Sequence, residues 1–79
     1  MIGHNIKLLR KRSRKSQEEV AQSLGLTRSS YSGYENGVAE PNIATLNSIS
    51  KLYGLLLDDL VNKDFSAFSD QEWKMVDQG

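Results

Sequence analysis

The sequence predicts an all-α fold of five short helices, followed by a C-terminal extension with the signals of a sixth. Three observations predict it. Apolar residues recur at three- and four-residue spacing, the period of one helix face. Ser16, Thr27 and Asn42 stand just ahead of these runs as N-caps. Gly25, Gly37 and Gly54 stand just past their ends, where a left-handed residue costs least.

The first helix should run from about Gly3 to Arg12 and bury Ile2, Ile6 and Leu9, with Leu8 off that stripe and partly exposed. Lys11 to Lys15, K-R-S-R-K, reads as a polar, turn-prone link. Ser16 with Glu19 forms a capping box for the second helix, whose apolar face is Val20, Ala21 and Leu24. Thr27 caps the third, Leu26 can staple to Tyr31, and Tyr31 and Tyr34 mark its inward face up to Asn36-Gly37. Ala21 is small where these two helices would cross. Pro41-Asn42 is a turn and a cap. The fourth helix follows from Ile43 to about Tyr53, with Ile43, Leu46, Ile49 and either Leu52 or Tyr53 inward. In the fifth, Leu55, Leu57 and Leu60 fit the core.

The chain divides into a domain over residues 1–62 and an extension over residues 63–79. The extension carries a second capping box, Ser69 with Glu72, and a staple pair, Phe68 with Trp73. These predict a short helix from Asp70 to about Asp77. Phe65, Phe68, Trp73 and Val76 are too apolar for a loose tail and should pack on the domain or on a partner subunit.

Seventy-nine residues, 38% of them hydrophobic, suffice for one small helical core but not for a core and a deep catalytic pocket together. There is no cysteine, hence no disulfide and no thiolate metal site, which suits a reducing, cytoplasmic interior. No apolar run could span a bilayer. His4 has no second metal ligand nearby, and no acid pair suggests a catalytic site. No cofactor, metal or enzymatic activity is expected. Net charge is zero but unevenly placed. Residues 1–39 hold seven basic groups against three acidic ones; residues 40–79 hold three against seven. Such asymmetry lets one half face a polyanion while the other faces water.

The outward side of the third helix is Arg28, Ser29, Ser32, Gly33 and Asn36, short or donor-bearing side chains without bulk. A helix that enters a groove of duplex DNA must look like that, because bulk would hold it off the base edges. Here the chain resembles the lambda-repressor-like (Cro/repressor, XRE-type) helix-turn-helix family. The residues that carry the likeness are Q-x-x-V-A-x-x-L-G at Gln17 to Gly25 and E-N-G at Glu35 to Gly37. They are joined by I-G-x-N-I-K-x-L-R at Ile2 to Arg10, E-P-N-x-x-T-L at Glu40 to Leu46 and L-Y-G-L-L-L-D-D-L-V at Leu52 to Val61.

The resemblance implies a DNA-binding regulator, most simply a repressor that binds a palindromic operator as a homodimer. The helix over residues 28–36 would read the major groove. Base contacts would come from Arg28, Ser29, Ser32 and Gly33, with phosphate binding alone as the alternative for Arg28. Phosphate contacts would come from Ser16, Gln17, Thr27, Asn36, Arg12, Arg14 and Lys15. An ion pair between Arg10 and Glu35 would join the first and third helices. Leu56 stands where relatives usually place a Ser, Thr or Pro cap. With Leu57 and Trp73 it is expected at a dimer contact, the alternative for Leu56 being tail packing within one chain.

Two features depart from the family pattern. Tyr31 replaces the usual aliphatic residue and must find room and a partner for its hydroxyl. Val38-Ala39-Glu40 stands where relatives often carry Lys or Arg, which removes phosphate contacts. These departures keep open a second reading, an antitoxin or adaptor whose helical surface binds a protein, with DNA secondary. The end at Asp77-Gln78-Gly79 also fits the DNA-binding part of a longer regulator with a C-terminal effector domain.

Overall fold

Local signals place the helix ends in the computed structural model, which describes residues 2–69, 71, 73 and 74. The helices are α1 (Ile2–Arg12), α2 (Gln17–Ser23), α3 (Arg28–Asn36), α4 (Ile43–Leu52) and α5 (Leu57–Asn62), with a 3-10 turn at Phe65–Ala67. At α2 the capping box closes both ways. The Ser16 hydroxyl accepts from the Glu19 N–H at 3.1 Å, and the Ser16 N–H donates to the Glu19 carboxylate at 2.9 Å. Thr27 and Asn42 accept from the N–H groups of Ser30 and Thr45 in the same way. The start of α5 differs: Leu56 is its N-cap and makes no side-chain cap bond.

The stops are equally local. Gly25, Gly37 and Gly54 all take positive φ, near 70°. Arg14 also does, at 59°, and no sequence signal marks it. It occupies the left-handed position after α1, and Lys15 N–H closes the turn onto the Arg10 carbonyl at 3.2 Å. An L-residue there carries about 1–2 kcal/mol of backbone strain that glycine would avoid.

α3 packs against both α1 and α2, while α1 also packs against α5 and the 3-10 turn, and α4 packs against α5. The shared core is Ile6, Leu9, Val20, Ala21, Tyr31, Ile49, Tyr53, Leu60 and Phe65. Burial of Phe65 carries the core past residue 62, where the sequence begins the extension. Gln71, Trp73 and Lys74 are helical, with Trp73 N–H bonded to the Ser69 carbonyl at 3.0 Å. The rest of the sixth helix expected over residues 70–77, with Glu72 and Val76, lies outside the described residues.

Two packing expectations fail. Ile43, expected inward, is 70% exposed. It is the first residue after the Asn42 cap, so its turn overhangs the core that Leu46 and Ile49 meet further along. Leu57, expected in the core, is only half-buried, because the buried side of this short helix centres on Leu60.

Two residues of α1 set how closely its neighbours approach. Gly3 lies against α3 so tightly that an added Cβ would collide with the Tyr34 carbonyl oxygen and come within 2.8 Å of that of Glu35. Asn5 is fully buried. Its amide donates to the carbonyls of Leu60 at 3.0 Å and Lys63 at 2.6 Å, and its oxygen accepts from Phe65 N–H at 3.3 Å. One neutral side chain thereby caps the end of α5 and anchors the segment that follows.

Candidate nucleic-acid interface

The inward side of α3 is bolted in place by a buried carboxylate. Glu35 receives Arg10 Nε at 2.7 Å and Arg10 Nη2 at 3.1 Å, a two-pronged pair whose carboxylate side is wholly buried. Arg10 Nη1 also donates to the Lys15 carbonyl at 2.9 Å, so the same guanidinium holds the turn into α2. Gln17 Nε2 completes the set, donating to Glu35 at 3.1 Å. Burial alone would raise the Glu35 carboxyl pKa, but Arg10, the neighbouring Tyr31 hydroxyl and Gln17 outweigh it and hold it below the ordinary carboxylate range. The Arg10 guanidinium is raised in turn by its bond to Glu35.

Tyr31 finds its room in the core. Its hydroxyl lies toward Glu35 without completing a full hydrogen bond, and burial followed by that carboxylate pushes its pKa up. Tyr53 is similar: its buried hydroxyl has no bonded partner, and burial then Glu35 push it up to about 12. The carboxylate thus gathers side chains from α1, α2 and α3, with the Tyr53 hydroxyl near enough to feel its charge.

With that side fixed, α3 turns the other side out. Arg28, Ser29 and Asn36 are exposed, and Ser32 and Gly33 are half-exposed. A Cβ built on Gly33 meets nothing within 4 Å, so no internal contact requires glycine there. Asn36 Nδ2 donates to Ser32 Oγ at 3.3 Å, and Thr27 bonds Ser30 at its cap. Ser16 and Arg14 are exposed and Lys15 is half-buried, all in the turn leading to α2. That turn and the outward side of α3 are both open to solvent. Glu40 and Val38 are exposed in the loop after α3.

Three expected site residues also make contacts within the chain. Gln17 was expected to bind phosphate through its side chain, but its amide nitrogen faces inward to Glu35, leaving its place at the start of α2 as its outward feature. Trp73, expected at a dimer contact, packs within its own chain, with ring centroids 5.9 Å from Phe65 and 5.4 Å from Phe68. Arg12, expected on phosphate, lies over the Trp73 ring at 5.4 Å. Of the expected dimer residues, Leu56 is 71% exposed.

An outward, small-sided helix held across a second helix by a tight glycine turn is the helix-turn-helix arrangement, and a helix-turn-helix family model matches residues 6–60. The chain belongs to the Cro/C1-type (XRE) helix-turn-helix family. It is 35% identical over 78 residues to the HTH-type transcriptional regulator YqaE of Bacillus subtilis, covering 96% of this chain and 67% of YqaE. It is 34% identical over 62 residues to the phage transcriptional repressor RstR of Vibrio cholerae, covering 78% and 56%. It is 38% identical over 64 residues to the antitoxin PezA of Streptococcus pneumoniae, covering 81% and 40%. The chain therefore spans between 40% and 67% of the length of these relatives. No solved structure matches it.

Two packing features of α1 could have been read from the sequence. Asn5 falls between Ile2, Ile6 and Leu9 on the apolar stripe itself, a polar residue where burial was expected. Gly3 is a glycine inside a helix, which signals close approach. Nothing in the sequence announces the inward turn of Gln17. Among the described residues no helix is long and apolar enough to cross a membrane, and no three His, Asp or Glu side chains gather to hold a metal.

Proposed function

We propose that this XRE-family chain represses transcription by occupying a two-fold operator as a homodimer in the cytoplasm, with α3 in the major groove of each half-site. The observation that carries the reading is the two-sided character of α3: Glu35 buried and bonded to Arg10 and Gln17, Arg28 and Ser29 exposed. Arg28 stands in the first turn, where recognition helices meet base edges, and its fork fits O6 and N7 of guanine. Ser29, Ser32 and Gly33 would line the same groove. Ser16, Gln17 and Thr27 at the helix starts, with Asn36, Arg12, Arg14 and Lys15, would take phosphates. Leu56 would meet its twin in the partner protomer.

Selection of bound duplexes from a random library tests this directly. The expected product is a palindrome with half-sites about 34 Å apart. Arg28→Ala should relax one base position at a cost of about 1–3 kcal/mol. A selection that yields no common sequence would sink the reading. A second reading, an antitoxin-like module that binds a protein, is favoured by the likeness to PezA and by the exposed Val38, Ile43 and Leu56. Under it, residual DNA binding would fall with salt but show no preferred sequence.

A further inference from the structure

Gly33 is the residue of α3 set most directly opposite its buried side. At 3.6 residues per turn it lies about 180° around the helix from the midpoint of Tyr31 and Glu35, the two residues this helix buries. Glycine inside a helix is destabilising, because its backbone loses more freedom on folding than that of alanine. Nothing within the fold explains its presence here. Its backbone is not left-handed, unlike Gly25, Gly37 and Gly54. No neighbour crowds it: an added Cβ meets nothing within 4 Å, whereas at Gly3 it would collide with the backbone of α3. The Gly33 carbonyl accepts from Val38 N–H at 3.0 Å at the end of the helix, but any residue supplies that carbonyl. The reason for glycine therefore lies in what approaches α3 from outside.

Under the proposed function, on which this inference rests, α3 lies in the major groove with Gly33 toward the base edges. A residue without a side chain cannot tell bases apart by side-chain donors and acceptors. It can discriminate only by bulk. The one apolar group that bases project into the major groove is the 5-methyl of thymine. The space left open at Gly33 is that of a single Cβ, the size of one methyl group.

We propose that Gly33 is a specificity-determining residue: the space of its missing side chain seats a thymine 5-methyl group in each half-site. Arg28, in the first turn, reads hydrogen-bonding groups. Gly33 reads the presence of a methyl.

Replacement of thymine by uracil in the selected operator tests it, one position at a time and symmetrically in both half-sites. Uracil keeps every hydrogen-bonding group of thymine and lacks only the methyl. At the position facing Gly33, the replacement should weaken binding of the wild-type protein about three- to fivefold per half-site, the worth of one buried methyl. Gly33→Ala should weaken binding to the thymine duplex about tenfold per half-site, because two methyl groups then compete for one space. On the matching uracil duplex, Gly33→Ala should bind as well as the wild-type protein or better. The same variant should melt about 4–8 °C higher, since alanine suits a helix interior and nothing crowds it there. A lower melting point would give glycine an internal role and overturn the inference. It is also overturned if Gly33→Ala binds the thymine duplex unchanged, if the variant loses equally on thymine and on every uracil duplex, or if no uracil replacement weakens the wild-type protein. Each of these results leaves the proposed function standing. A selection that yields no common sequence removes both.

Discussion

α1 carries two buried polar centres, and they hold different halves of the molecule by different physics. At its N-terminal end Asn5, neutral, takes two carbonyls and one N–H from the end of α5 and the following segment. At its C-terminal end Arg10, charged, joins Glu35 of α3 and the turn into α2. The neutral centre satisfies backbone groups that no helix could satisfy for itself. The charged centre fixes the orientation of the helix proposed to read DNA. A neutral tie costs little to bury when its bonds are complete, whereas an ion pair is costly once either partner is missing. The half that carries the proposed function is therefore the one exposed to one-sided mutation and to pH.

The largest effect should come from breaking the charged centre from one side. Glu35→Ala leaves Arg10 without its carboxylate partner, and chemical denaturation should show a loss of about 3–5 kcal/mol. The pairing also has a pH signature. The folded-state pKa of Glu35 lies below its ordinary value of 4.5. Its stabilising contribution is therefore fully present above that value and is lost as pH falls through the lower folded pKa. Denaturation curves taken from pH 6 downward should show this loss in the wild-type protein and a flatter profile in Glu35→Gln. Equal profiles would remove the distinction between the two centres.

Asn5→Leu should come next. It removes bonds to three neutral backbone groups, of which the Lys63 carbonyl is only part-buried, and should cost about 1–3 kcal/mol in all, with no comparable dependence on pH in the acid range. Hydrogen exchange should open Phe65 and the end of α5 before α3; if α3 opens first, the two halves are not held separately. Arg14→Gly reverses the sign. Relief of the left-handed strain should stabilise the fold by about 1–2 kcal/mol, while the loss of a basic side chain from the turn weakens DNA binding and flattens its salt dependence. Such opposed signs would mean that Arg14 is kept for its charge. Tyr53→Phe should have the smallest effect, within about 0.5 kcal/mol or slightly stabilising, because its buried hydroxyl bonds nothing.

What could be read from the chain and what could not divide along the same physical line. Caps and stops act within a few residues, so Ser16 with Glu19, Thr27, Asn42 and the three positive-φ glycines placed the helices before any tertiary information. Spacing could select Leu46 and Ile49 for the interior, but not exclude Ile43, because periodicity does not say where a helix overhangs its neighbours.

The sequence by itself determined the capped and glycine-stopped helix boundaries, the outward residues of α3 and the family, since each rests on local hydrogen bonding or on the order of residues along the chain. Tertiary structure alone decided that Gln17 turns inward, that Asn5 ties α1 to residues nearly sixty positions away, and that Trp73 stacks on Arg12 of its own chain. Those are contacts between segments distant in sequence. Which donor meets which acceptor there depends on how the helices cross, a quantity that no local pattern encodes.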